Sequence, residues 1–158
     1  MKKILSSLLL GLFIISFNSE YVLANSTTIP TKTTKTTTQT QQPALNVKPL
    51  DVVNNPSEYM RKRICMTGKF SKFSTLGLDY KPAFRSSDKY ISFLFFRDDV
   101  VGTIPLSELK MFISRKLAEK LPDLNEGDTI KVTGTVFSNA LGDAWLDAEN
   151  IQLIHSKK

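Results

Sequence analysis

The sequence predicts an all-β domain with one helix, a small closed barrel of five strands. Three observations predict it. In Asp128–Ser138, Ile130, Val132 and Val136 are apolar at every second residue with Gly134 in register, while Thr129, Lys131, Thr133 and Thr135 fill the alternate positions. That is the pattern of a half-buried strand, and a glycine inside it marks a bulge, a bend or a close backbone approach. Ile64–Ser71 repeats both the alternation and the Thr-Gly pair. Between these two strands, Leu109, Phe112, Ile113, Leu117 and Leu121 lie at helical spacing.

The first segment is expected to be a signal peptide over residues 1–24. Lys2 and Lys3 precede an apolar run from Ile4 to Phe17, and Val22 and Ala24 stand at the −3 and −1 positions of a cleavage site. The run is shorter than the roughly 20 residues that span a bilayer, so no transmembrane span is expected in the mature chain. No cysteine follows it to carry a lipid. The chain is therefore expected to be exported, periplasmic or secreted, from a bacterium. Residues 25–44 are rich in Thr, Gln, Lys and Pro, with Ile29 the one large apolar residue before Leu45, and read as a disordered linker.

Residues 45–158 suit one domain with one core. They carry 17 basic and 14 acidic residues, unevenly placed: 10 against 4 up to Arg97, then 7 against 10. A basic front half suits anionic partners. Cys65 is the single cysteine, which excludes an internal disulfide. The alternation puts it opposite Ile64 and Met66, either packed beneath a helix or exposed.

In chain order, Val47–Val53 reads as an extended lead-in around Pro49. Asn55, Pro56 and Glu58 carry helix-start chemistry, ahead of the Arg61-Lys62-Arg63 cluster. A strand from about Arg63 to Phe73 leads into an irregular stretch, Ser74–Lys89. A second strand, Tyr90–Arg97, is apolar on both faces and so covered on both. A short third strand, Val100–Ile104, ends at Pro105. Ser107 then caps a helix to about Leu121, which Pro122 closes. The turn at 125–128 opens the fourth strand, and the fifth runs from about Trp145 to Ile154.

Three strands, a helix and two strands is the element order of the OB-fold, a five-stranded Greek-key barrel with its helix between strands three and four. On NNPSEYMRKRICMTGKF and EGDTIKVTGTVFSNALGDAWLDAENIQLI, the chain from about Leu50 to His155 resembles OB-fold domains of exported, nucleic-acid-binding-like bacterial proteins. In setting it is similar to the small periplasmic bacterial OB-fold proteins. It differs from them in a longer first loop and a full helix between Pro105 and Pro122.

OB-folds generally bind ligands on the face of their second and third strands, between the loop joining strands one and two and the loop joining four and five. By position, the resemblance implies a site between Ser74–Lys89 and Asn139–Ala144. The candidate ligand-binding residues are Lys69, Lys72, Phe73, Tyr80, Lys81, Phe84, Arg85, Tyr90, Arg97 and Trp145. Cations interleaved with rings suit single-stranded nucleic acid, because cations track phosphates and rings stack on bases. The same rings also serve as barrel core. Trp145, beside a glycine turn, is read as either packed or a partly exposed platform.

Catalytic chemistry is thin. Glu126–Val132 resembles the DGDT-type segment of staphylococcal-nuclease-like proteins, where an aspartate binds calcium. Here the segment opens the fourth strand, and the arginine and glutamate that would complete such a site have no match. His155 is the single histidine and stands near the C-terminus; no Cys/His metal set or glycine-rich phosphate loop is present. The expectation is a non-enzymatic, exported binding module with no cofactor and no metal. Its ligand would be single-stranded nucleic acid or an acidic oligosaccharide. The alternative is an accessory protein docking to an envelope protein.

Overall fold

The computed structural model describes residues 43–157. The expected signal segment and nearly all of the expected linker lie outside the described residues.

One sheet of six strands closes on itself. The strands are β1 (Leu45–Asn46), β2 (Arg63–Ser74), β3 (Tyr90–Phe95), β4 (Leu109–Ser114), β5 (Thr129–Ser138) and β6 (Ala144–His155), with α1 (Pro49–Asn54) and α2 (Arg115–Ala118) between them. Their order is β1-β2-β3-β4-β6-β5, and β5 pairs back onto β2. β4 and β6 run parallel, the other barrel pairs antiparallel. This is the OB-fold, with β1 added as a short parallel edge to β2.

β2 is long enough to serve two partners. Arg63–Lys69 pairs with β5, and the register shifts between Phe70 and Lys72 as the strand passes to β3. The alternation read from the sequence fills the barrel: Ile64, Met66, Phe93, Phe95, Met111, Ile113, Ile130, Val132, Val136 and Leu146 form one buried cluster. Gly134 is the close approach that its place in the strand suggested. A β-carbon there would stand 2.2 Å from the backbone oxygen of Asp147, where the β5–β6 register shifts.

Three expectations need correction. Val100–Ile104 is not a strand; it is the irregular far end of a loop whose base is the Phe96–Pro105 bridge, and Val101 is 102% exposed. The third barrel strand is instead β4, inside the expected helix, which shrinks to the four residues of α2. The physical reason lies in β4's burial on both faces. Leu109, Met111 and Ile113 point into the core while Phe112 packs outside it, so apolar residues at 109, 112 and 113 imitate helical spacing. Ser114, not Ser107, caps the helix, accepting from the Leu117 amide at 3.3 Å. Last, the lead-in is not extended: Pro49 opens α1, which buries Val52 in the core.

Other readings hold. A 3-10 turn starts at Pro56, although the Asn55 side chain makes no capping bond. Cys65 is a packed thiol, held in the sheet between Asn46 and Thr133 rather than beneath a helix. The Thr133 hydroxyl donates to its Sγ at 3.4 Å. Asp128 is fully buried and clasps the chain end to the turn before β5. Its two carboxylate oxygens accept from the Asn125 amide at 2.7 Å and the Lys157 amide at 2.8 Å.

Gly134→Ala is expected to cost about 3 kcal/mol, because backbone and not a flexible side chain bars the added carbon; urea unfolding measures it. The two amides, Asn125 first, hold the Asp128 carboxyl below its ordinary 3.8. A depressed folded-state value stabilises the fold above the unfolded value, and that stabilisation disappears as pH falls through the folded one. The stability gap between wild type and Asp128→Asn should therefore be wide at neutral pH and shrink as pH drops below 3.8.

Candidate nucleic-acid interface

Side chains that point away from the barrel core build a second apolar layer. On β3 these are Tyr90 and Ser92, on β4 Phe112, on β6 Trp145 and Asp147, and on β5 Phe137. Register places Phe112 between Ser92 and Asp147. Phe112, Trp145 and Ala83 form a separate buried cluster, with Leu78, Tyr80, Tyr90, Phe137 and Ala140 packed around it.

Loop 75–89 lies across this layer. At Gly77 the backbone takes a positive φ of 81° and comes so near the rings that a β-carbon would sit 3.0 Å from Trp145 and 3.1 Å from Phe112. Tyr80 stacks on Trp145 at 5.3 Å between centroids and 21° between planes. Trp145 stacks in turn on Phe112 at 5.7 Å and 16°, and Phe137 tilts against Phe112 at 6.0 Å. The Trp145 indole donates to the Ala140 carbonyl at 2.7 Å, fixing the ring to the turn between β5 and β6.

Arg85 closes the loop onto the barrel. Its Nε donates to Asp147 Oδ1 at 2.7 Å, and its Nη2 pairs with Oδ2 of the same carboxylate. The guanidinium carbon stands 3.7 Å from the Phe137 ring centroid and 5.6 Å from that of Tyr90. A two-pronged ion pair and a cation on a ring thus meet in one side chain. Nearby, Lys110 Nζ reaches Asp143 at 2.8 Å and ties β4 to the β5–β6 turn.

The structure brings together Tyr80, Arg85, Tyr90 and Trp145 among the residues singled out by sequence. Trp145 is 1% exposed, so it is a packed ring and not an open platform. Lys81 and Phe84 are exposed on the same loop, Phe84 at 54%. Lys72 and Phe73 are exposed at the end of β2, where Phe73 meets Phe70 edge-on at 5.2 Å. Lys69 and Arg97 fall outside the ring cluster and line a groove of about 1190 Å³ with Thr67, His155 and Lys157. There Arg97 is clamped by Asp99 at 2.9 Å and by Glu108, and hydrogen bonds to the two carboxylates, Asp99 first, raise its pKa above the ordinary value. Sequence reasoning missed Phe112, Phe137, Ser92 and Asp147. Phe137 had a signal: it is an aromatic residue on the strand face otherwise built from Thr129, Lys131, Thr133 and Thr135.

Strand order and the cluster outside β3, β4 and β6 define an OB-fold domain with a ring-lined outer face. No family model matches the chain. No curated protein sequence matches it. Among solved structures it is similar to an enzyme assigned as an aspartyl-tRNA synthetase from Leishmania major Friedlin, at 12% identity and a TM-score of 0.48, covering 78% of this chain and 23% of that one. It is also similar to asparaginyl-tRNA synthetase from Pyrococcus horikoshii, at 17% identity and a TM-score of 0.45, covering 71% of this chain and 23% of that one. The chain thus spans less than a quarter of either enzyme.

Trp145 is the single tryptophan, so its emission reports on this layer alone. Tyr80→Ala should move that emission to longer wavelength and cost about 1 kcal/mol of stability. Phe84→Ala should leave both unchanged within about 0.5 kcal/mol. Fluorescence and urea unfolding of the same samples check the pair.

Proposed function

We propose that this protein is an exported, non-enzymatic OB-fold module that binds single-stranded nucleic acid at the outer face of β3, β4 and β6. The observation that carries the reading is the parallel stack of Tyr80, Trp145 and Phe112 on the face where OB barrels engage ligands. Bases stack on such rings whatever their sequence, here once loop 75–89 uncovers them, and the exposed Lys72 and Lys81 supply charge for phosphates. Export rests on Lys2, Lys3, the apolar run and the Ala24 cleavage site. Asp128, the aspartate inside the segment that resembles the DGDT type, has both oxygens engaged by backbone amides; this supports the non-enzymatic reading.

A second reading, docking to an envelope protein, draws on the loop at 96–105, whose end exposes Val100, Val101 and Ile104.

Fluorescence polarisation of residues 43–158 with labelled oligothymidylate tests the first reading. Affinity should fall with salt at a log–log slope of about −1.4, as two phosphate contacts give on a single strand. Lys72→Glu and Lys81→Glu should each weaken it several-fold. An acidic oligosaccharide binding in place of the oligonucleotide, or affinity indifferent to salt, would contradict the reading. Val101→Asp should leave oligonucleotide affinity unchanged, whereas loss of capture of an envelope protein would favour the docking alternative.

A further inference from the structure

The ring face is already occupied by the chain itself. The outermost ring of its stack, Tyr80, belongs to loop 75–89 and not to the barrel, and it lies flat on Trp145 in the position a base would take. We infer that this loop is a displaceable occupant of the ligand face, latched by Arg85 on Asp147, and that Ser92 beneath it is a polar contact for the incoming base. The inference rests on the nucleic-acid reading above.

The way the loop is attached supports it. Among the described residues, the backbone hydrogen bonds of residues 75–86 run within the loop or to its exit. Leu78 donates to Thr75, Asp79 to Arg85, Ala83 to Tyr80, and Tyr90 to Ser86. Ser87 adds a bond to the Asp79 carboxylate at 3.1 Å. The loop is therefore a self-bonded unit, joined to the sheet at its base by Arg115 bonding to Lys89 and Ser87. Across the ring face the attachments are packing and side-chain ones: Ala83, Leu78 and the Gly77 backbone on Phe112 and Trp145, Tyr80 on Trp145, and Arg85 on Asp147 and Phe137. Lifting such a unit breaks no sheet ladder, and the rings it uncovers, Trp145 and Phe112, are the surface that a base stacked in its place would cover again.

Ser92 is the second, independent observation. It is 1% exposed and alternates with Phe93, so it faces the outer layer beside Tyr90 and opposite Phe112. Its hydroxyl is the one buried side-chain polar atom among the described residues without a hydrogen-bond partner. An unpaired buried hydroxyl lowers stability, and a base edge, carrying donors and acceptors, would pair with it. The closed loop leaves it unmatched.

Opening before binding lowers apparent affinity by the fraction of molecules that are open. Asp147→Asn keeps the shape and removes the charge that holds Arg85. It should bind an oligothymidylate of about 12 nucleotides about five-fold more tightly, the order expected when a partly exposed ion pair stops favouring the closed form. The Trp145 emission should shift as oligonucleotide is added to either protein. Ser92→Ala should unfold at the same or higher urea concentration yet bind about three-fold more weakly, a split that a packing role alone would not give.

If the oligonucleotide binds, but Asp147→Asn is no tighter and Trp145 does not respond, the latch is overturned and the nucleic-acid reading stands. If neither wild type nor Asp147→Asn binds, while thermal melts show both folded, the nucleic-acid reading fails and the inference with it.

Discussion

The stack of Phe112 on Trp145 is the contact on which the rest of this domain depends. Both rings stand on the outside of a closed barrel, on neighbouring parallel strands, and both are fully buried. Strands in a barrel this small have one inner face to fill, and here Leu109, Met111, Ile113 and Leu146 fill it. A second apolar face on the same strands must find its own cover. Burying rings of this size contributes about 2–3 kcal/mol each, enough to order a loop of fifteen residues that has little sheet structure of its own. The long first loop is therefore part of the fold, and its backbone approach at Gly77 follows from the rings beneath it.

That double-sided burial also decides what could be read from the sequence. β2 and β5 were legible because most of each has one wet face, so the apolar period of two stands out. The glycines at 68 and 134 added their positions in the barrel: Gly68 yields to the Phe95 ring and Gly134 to the Asp147 backbone. β4 was not legible, since a strand covered on both sides has no alternation left. Its residues at 109, 112 and 113 then join Leu117 and Leu121 in a false helical stripe. Pro49 was misread for a local reason, because a proline suits an extended segment and a first helical turn equally well.

The site was legible in part. Position on the fold identified loop 75–89, and with it Tyr80, Arg85 and Tyr90. The exposure of Trp145 depended on whether that loop folds back, which no local pattern encodes. Asp147 could not be paired with Arg85 in advance, because the two stand 62 residues apart and meet only where loop 75–89 folds across the outer face onto β6. Phe112 was hidden by the helical misreading. Phe137 was visible, as a ring on a threonine-lined face.

In this account, one surface carries both a stabilising layer and a ligand platform, and the loop exchanges between them. The stack, the Arg85 latch and the unmatched Ser92 are then parts of one balance, in which stability is given up under the loop where a ligand would restore it. Amide hydrogen exchange across residues 75–89, with and without oligothymidylate, tests this most directly. The account predicts loop amides that exchange far faster than those of β4 and β6, and faster still with oligonucleotide bound while β3 and β4 become slower. Loop amides protected as strongly as the barrel, and unmoved by the oligonucleotide, would contradict it.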